Sequence, residues 1–244
     1  MIYVNTSPIT ATIEMKMNLN ELIQKHGTKG LIFDLDGTLT HTLDQHVEAF
    51  YRAFLKHGRT VSRKLIQDEM GRRPTDITRD LIFDGQKDED LSKEQTRELY
   101  EIAAEKVRQF KSLIPENPPL MPGLPDLIKK AKQRGLLIAV CSSTPLENVK
   151  ILLDRIGLLD YFDALVTAED VKIGKPHPEA FLKAVEKLSL EKDDCLVIGD
   201  SIHDVASVKN GGLKIIAVAT GKHSIENLKA VNADHVVETL ANLL

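Results

Sequence analysis

Six short apolar runs punctuate the chain, at 31–34, 136–142, 164–167, 195–200, 214–218 and, more weakly, 235–238. They are continuously apolar rather than alternating, and rich in β-branched residues, which is the pattern of parallel strands covered on both faces. Between them the apolar positions recur at helical spacing, as in "GLPDLIKKAKQRG", "PLENVKILLDRIG" and "HPEAFLKAVEKL". The first two stop at Gly135 and Gly157, a residue type that ends helices. Strand, right-handed crossover helix and parallel strand, repeated, predict a doubly wound α/β sheet, a Rossmann-like core.

One stretch breaks that rhythm. From 41 to 120 there is no strand-like run, and four helical patterns follow one another over 43–57, 63–69, 75–83 and 92–110. Thr42-Leu43-Asp44-Gln45 has capping-box spacing and is read as the start of the first. Pro115, Pro118, Pro119 and Pro122 make a stiff return linker. The predicted organisation is an N-terminal extension over 1–28, a core from 29–40 and 121–244, and a helical cap domain inserted over 41–120. The extension is expected to hold one helix, 19–26, with disorder at its extreme end.

Composition narrows the class. A chain of 244 residues, 42% hydrophobic, can bury one good core with a smaller satellite. A net charge of −4 and 5% aromatic residues give no basic surface for nucleic acid or anionic membrane. No apolar run approaches the ~20 residues of a membrane span, and "MIYVNTSPITATIEMKMNL" lacks the basic start and apolar centre of a signal peptide. Cys141 and Cys195 lie inside apolar runs and read as buried, reduced thiols. A cytoplasmic protein is expected.

Chemistry is expected at the carboxyl ends of the strands, where doubly wound sheets bind ligands. The first run ends in Asp34, with Asp36 just beyond; the second in Ser142-Ser143-Thr144; the fourth in Gly199-Asp200-Ser201, with Asp204 four residues on. Lys175 sits in a Gly-Lys-Pro turn after the third. Singly, each has a plain structural role: Asp34 or Asp36 ending a strand, Ser142 or Asp200 capping a helix, Lys175 solvated in a loop. Independent capping needs would not place Asp-x-Asp, Ser, Lys and Asp-x₃-Asp in that order at four ends of one sheet.

In that order, "DLDGT", Ser142, Lys175 in "GKPHPEAF" and "IGDSIHD" resemble the four motifs of the haloacid dehalogenase superfamily. The resemblance is to its Mg²⁺-dependent phosphatase and phosphomutase branch with a helical cap, the phosphoglycolate phosphatase and β-phosphoglucomutase kind. It implies Asp34 as nucleophile, forming an aspartyl phosphate, and Asp36 as the acid and base for leaving alcohol and water. One carboxylate must then be ionised while its neighbour starts protonated. It implies Mg²⁺ held by the carboxylates of Asp34 and Asp200 and the main-chain carbonyl of Asp36, with Asp204 behind them. Lys175 would offset charge; Ser142, with N–H groups near Gly37 and Ser143, would hold the phosphoryl group, Gly37 letting the backbone come close. Thr38, like Gly37, is placed at the substrate. On the cap, Arg72 and Arg73 in "EMGRRPTD" are expected to touch substrate, with His46 facing the site and Lys106 a weaker candidate. His41-Thr42 departs from the Asp-then-Ser/Thr that relatives commonly carry.

The expected activity is hydrolysis of a small phosphorylated metabolite. The runner-up is a sugar phosphomutase, against which Gly199 counts, since mutases of this branch typically carry an acid there. A dehalogenase would have no use for Asp36, and a non-catalytic binding module would be expected to lose one of Asp34, Asp36, Lys175 or Asp200.

Overall fold

The apolar runs form six parallel strands in a computed structural model that describes residues 18–244. These are β1 (Gly30–Phe33), β2 (Leu137–Cys141), β3 (Ala164–Val166), β4 (Cys195–Gly199), β5 (Lys214–Val218) and β6 (His235–Val237), in the order β3-β2-β1-β4-β5-β6. The expectation about the extreme N-terminus concerns residues 1–17, which lie outside the described residues. Alternate side chains of each central strand enter opposite layers. Leu31, Phe33, Ile138, Val140, Leu196 and Ile198 pack on one side. Ile32, Ala139, Cys141, Cys195 and Val197 pack on the other. Burial on both faces is why the runs are continuously apolar, each large side chain contributing about 1.5–3 kcal/mol.

The first layer is covered by α1 (Leu19–His26), α6 (Leu124–Gln133) and α7 (Leu146–Arg155); the second by α8 (Glu179–Lys187), α9 (Ile202–Gly211) and α10 (Ile225–Ala230). The helical insertion between β1 and β2 comprises α2 (Leu43–Lys56), α3 (Arg63–Asp68), α4 (Pro74–Ile82) and α5 (Lys93–Leu113). It has its own apolar centre, with Phe50, Phe54, Ile66, Ile77 and Ile102 fully or almost fully buried. Cys141 and Cys195 are free and buried. No helix among the described residues is long and apolar enough to cross a membrane.

One local expectation is overturned. Thr42 precedes α2 but makes no side-chain cap. Its hydroxyl instead donates to Asp36 Oδ1 at 2.5 Å. The side chain is turned toward the charged oxygen, a strong charge-assisted contact, and makes no bond to the first N–H groups of the helix.

Candidate active site

β1 lies between β2 and β4, the two strands from which the chain winds outward in opposite directions. The crevice of such a sheet opens at that switch point, beyond the carboxyl ends of β1 and β4. Asp34 leaves β1 with its N–H still bonded to Ile198 O of β4 at 2.9 Å, and the chain then turns. Asp200 follows β4 directly.

Lys175, in the loop between β3 and α8, reaches 141 residues back to Asp34, its Nζ 2.6 Å from Oδ1. The same ammonium lies 2.8 Å from Asp204 Oδ1 and donates to Cys141 O at 3.1 Å. Asp204 is the third residue of α9: its Oδ2 accepts from Ser201 N–H (3.1 Å) and Oγ (2.6 Å), while Ser201 Oγ caps the helix in return. Capping by Ser201 leaves Asp200 for the crevice, where Oδ1 accepts from the Thr38 hydroxyl at 3.0 Å.

Asp34, Asp200 and Asp204 are all buried, with ligand oxygens within 4.8 Å of one another. Three carboxylates around one lysine carry excess negative charge. Burial pushes Asp34 up to about 7 against the attraction of Lys175. Burial, with the charges of Asp34 and Asp204, pushes Asp200 well above the ordinary carboxylate range. Burial also acts on Asp204, but Lys175 and Ser201 hold it low. Hard oxygens with unbalanced charge suit a divalent cation. With the Asp204 oxygens taken by Ser201 and Lys175, Asp34 and Asp200 are the carboxylates that could hold one.

Asp36 faces the cap. Its Oδ1 accepts from Thr42 and lies 3.0 Å from His46 Nε2 of α2; its Oδ2 accepts from Thr144 Oγ1 at 3.0 Å. His46 Nδ1 is 2.7 Å from Lys106 Nζ of α5, both buried. Burial raises the Asp36 carboxyl, yet His46, Thr42 and Lys106 outweigh it and hold it below its usual range. Burial pulls Lys106 down to about 7 and lowers His46 too, against the pull of Asp36. Set by this chain's own groups, the order of the two aspartates is therefore reverse to that expected: Asp34 is the weaker acid and Asp36 the stronger.

Asp34, Asp36, Ser142, Ser143, His46 and Arg72 line one cavity between insertion and core, with Lys106, Thr144 and an apolar wall of Leu43, Phe50 and Met70. Three expectations change, for Thr38, Gly37 and Arg73, and Ser143 makes an added contact. Thr38 is completely buried, and its hydroxyl is spent on Asp200. The Gly37 N–H donates to Thr40 O at 2.9 Å; with φ +98°, the space it leaves is filled by the Asp200 carboxylate, whose Oδ2 a Cβ would meet at 2.4 Å. Ser143 Oγ donates to Gly71 O at 3.0 Å, joining core to insertion. Arg73 is bonded to both Asp76 oxygens and to Lys172 O (2.8 Å), away from the cavity wall. Ser142 Oγ accepts from Thr144 N–H at 3.0 Å, which leaves its own proton to donate.

Sequence reasoning gave Thr42 only a helix start and Thr144 only a place at a strand end, and it passed over Lys222. Lys222 follows β5 at the same end of the sheet, lines the second lobe of the crevice and donates to Gln67 O at 2.8 Å and to Asp68 O. Its position just past a strand end was the available signal.

A doubly wound core with acids at β1 and β4, a lysine after β3 and a helical insertion closing over them defines a capped hydrolase of the α/β class. The model of the haloacid dehalogenase-like hydrolases matches residues 28–212, and the chain belongs to that family. It is 31% identical over 220 residues to the "Probable phosphatase IndB" of Dickeya dadantii, covering 88% of this chain and 91% of that one. It is 29% identical over 188 residues to hexitol phosphatase B of Escherichia coli, covering 77% and 82%. The crystal structure of β-phosphoglucomutase from Clostridium difficile superposes with a TM-score of 0.77 at 27% identity, over 89% of this chain and 93% of that one. The chain is thus an enzyme, and phosphoric monoesters are the substrates consistent with that assignment.

Proposed function

We propose that the protein is a Mg²⁺-dependent phosphatase of a small phosphorylated metabolite, working through an aspartyl phosphate on Asp34. The observation that carries it is the pair of aspartates two residues apart on one cavity, one seated on Lys175 beside Asp200, the other on His46 and two threonines.

Asp34 Oδ1 is held by Lys175, so its other oxygen is the attacking one. Asp34, Asp200 and the main-chain carbonyl of Asp36 would hold the cation, which would supply charge to keep Asp34 ionised and to balance the phosphoryl oxygens. Ser142 Oγ donates to the transferring group, and Lys175, its N–H groups engaged by Asp34, Asp204 and Cys141 O, offsets the charge beside it. Asp36 shuttles the proton. Entry of a phosphate dianion beside it raises its affinity for a proton, and the chain Lys106 Nζ–His46 Nδ1 (2.7 Å), His46 Nε2–Asp36 Oδ1 (3.0 Å) is a route by which one is delivered. The proton passes to the leaving oxygen, and Asp36 then takes one from the water that opens the aspartyl phosphate.

Gly199 supports hydrolysis over phosphomutase chemistry: a Cβ there would lie 2.9 Å from Asp204 Cβ, leaving no room for an acidic side chain. The test is Asp34→Asn assayed with 4-nitrophenyl phosphate and Mg²⁺. Turnover should fall by roughly 10³-fold or more while circular dichroism stays unchanged; retained turnover removes Asp34 as the nucleophile.

A further inference from the structure

The phosphoryl group has its place at Asp34 and Ser142, so the rest of a substrate lies on the insertion side of the cavity. That side is walled by Leu43, Phe50 and Met70 and by the cations Arg72 and Lys106. Around the crevice, each lysine and arginine named above already has a partner within the chain. Lys175 is on Asp34 and Asp204, Lys222 on Gln67 O and Asp68 O, Arg73 on Asp76, and Lys106 on His46, whose other nitrogen faces Asp36.

Arg72 decides the matter, because it lines the cavity where a second charged group would have to bind. Its Nη1 lies 2.5 Å from Glu69 Oε2 and 2.6 Å from Asp80 Oδ2, two carboxylates on one guanidinium. The local sum is −1. An incoming anion that accepted from the remaining guanidinium N–H groups would be repelled by the two carboxylates beside it, whereas a neutral hydroxyl can accept from the same groups without that repulsion. Building on the phosphatase reading, we propose that Glu69 and Asp80 neutralise Arg72 to make a charge filter: the site takes the monophosphate of an uncharged alcohol and rejects leaving groups bearing a second phosphate or a carboxylate.

The test compares kcat/KM for sorbitol 6-phosphate and sorbitol 1,6-bisphosphate in the full-length enzyme with Mg²⁺. The wild type should prefer the monophosphate by at least about tenfold. Glu69→Gln/Asp80→Asn, which frees Arg72, should narrow that ratio about tenfold, and Arg72→Gln, which leaves two carboxylates facing the cavity, should widen it. A wild type that prefers the bisphosphate, a ratio unmoved by either variant, or a Glu69→Gln/Asp80→Asn enzyme whose ratio widens overturns the filter. If the double variant does not fold, the single variants Glu69→Gln and Asp80→Asn decide: each should narrow the ratio, and a ratio unmoved or widened in both overturns the filter. Turnover of 4-nitrophenyl phosphate reports the phosphatase reading separately: when it persists, a failed ratio sinks only the filter. If it is absent, the phosphatase reading falls, and calorimetric binding of the two sorbitol esters still decides for or against the filter.

Discussion

Replacing Lys175 with Met removes the only ammonium among the described residues in contact with both Asp34 and Asp204, at 2.6 and 2.8 Å. At an effective dielectric constant near 20, each contact is worth about 6 kcal/mol of attraction. Desolvating the completely enclosed ammonium offsets much of this. The net cost of leaving the acids unpaired is about 3–5 kcal/mol. For a chain of this size that lowers Tm by roughly 6–20 °C. The loss must depend on pH. Without Lys175, Asp34 and Asp204 hold their protons more tightly in the folded state than in the unfolded chain, where a carboxyl titrates near about 4. Acids with a raised folded pKa weaken the fold as pH rises through the interval between the two values. The variant should therefore lose most at pH 8 and least near pH 5. Urea denaturation in the presence of a chelator, at pH 5 and pH 8, measures this directly. Equal stability of the two proteins at pH 8, or one deficit at both pH values, would refute the electrostatic account of the cluster.

Thr38→Val removes the hydroxyl on Asp200 Oδ1; the buried oxygen left behind should cost about 1–3 kcal/mol in stability, and Mg²⁺ titration of activity should show a midpoint raised about tenfold or more. Removing divalent cations with a chelator should abolish turnover and lower Tm, since Lys175 alone leaves the cluster of Asp34, Asp200 and Asp204 under-neutralised; turnover that survives chelation would exclude the proposed cation.

Much of the site was legible because it follows from local pattern. Continuous apolar runs mark strands buried on both faces, so their carboxyl ends, and with them Asp34, Ser142 and Asp200, can be located to within a residue; β1 to β6 each fall at or within one or two residues of the expected bounds. The four helices of the insertion follow equally from helical spacing. Glycine 37 also announces itself, though what it makes room for does not.

What the chain alone determines here is which residues stand at the ends of which strands, since hydrophobic periodicity is written in neighbouring positions. Tertiary structure decided what those residues are bonded to. Thr42 serves Asp36 rather than its helix, Thr38 serves Asp200, Arg73 is spent on Asp76 and Lys172, and Arg72 carries two carboxylates. The relative acidity of Asp34 and Asp36 reversed for the same reason. Desolvation and hydrogen bonding act through space, and the partners that set them, from His46 to Asp204, are brought to β1 only by the closing of the insertion and the winding of the sheet.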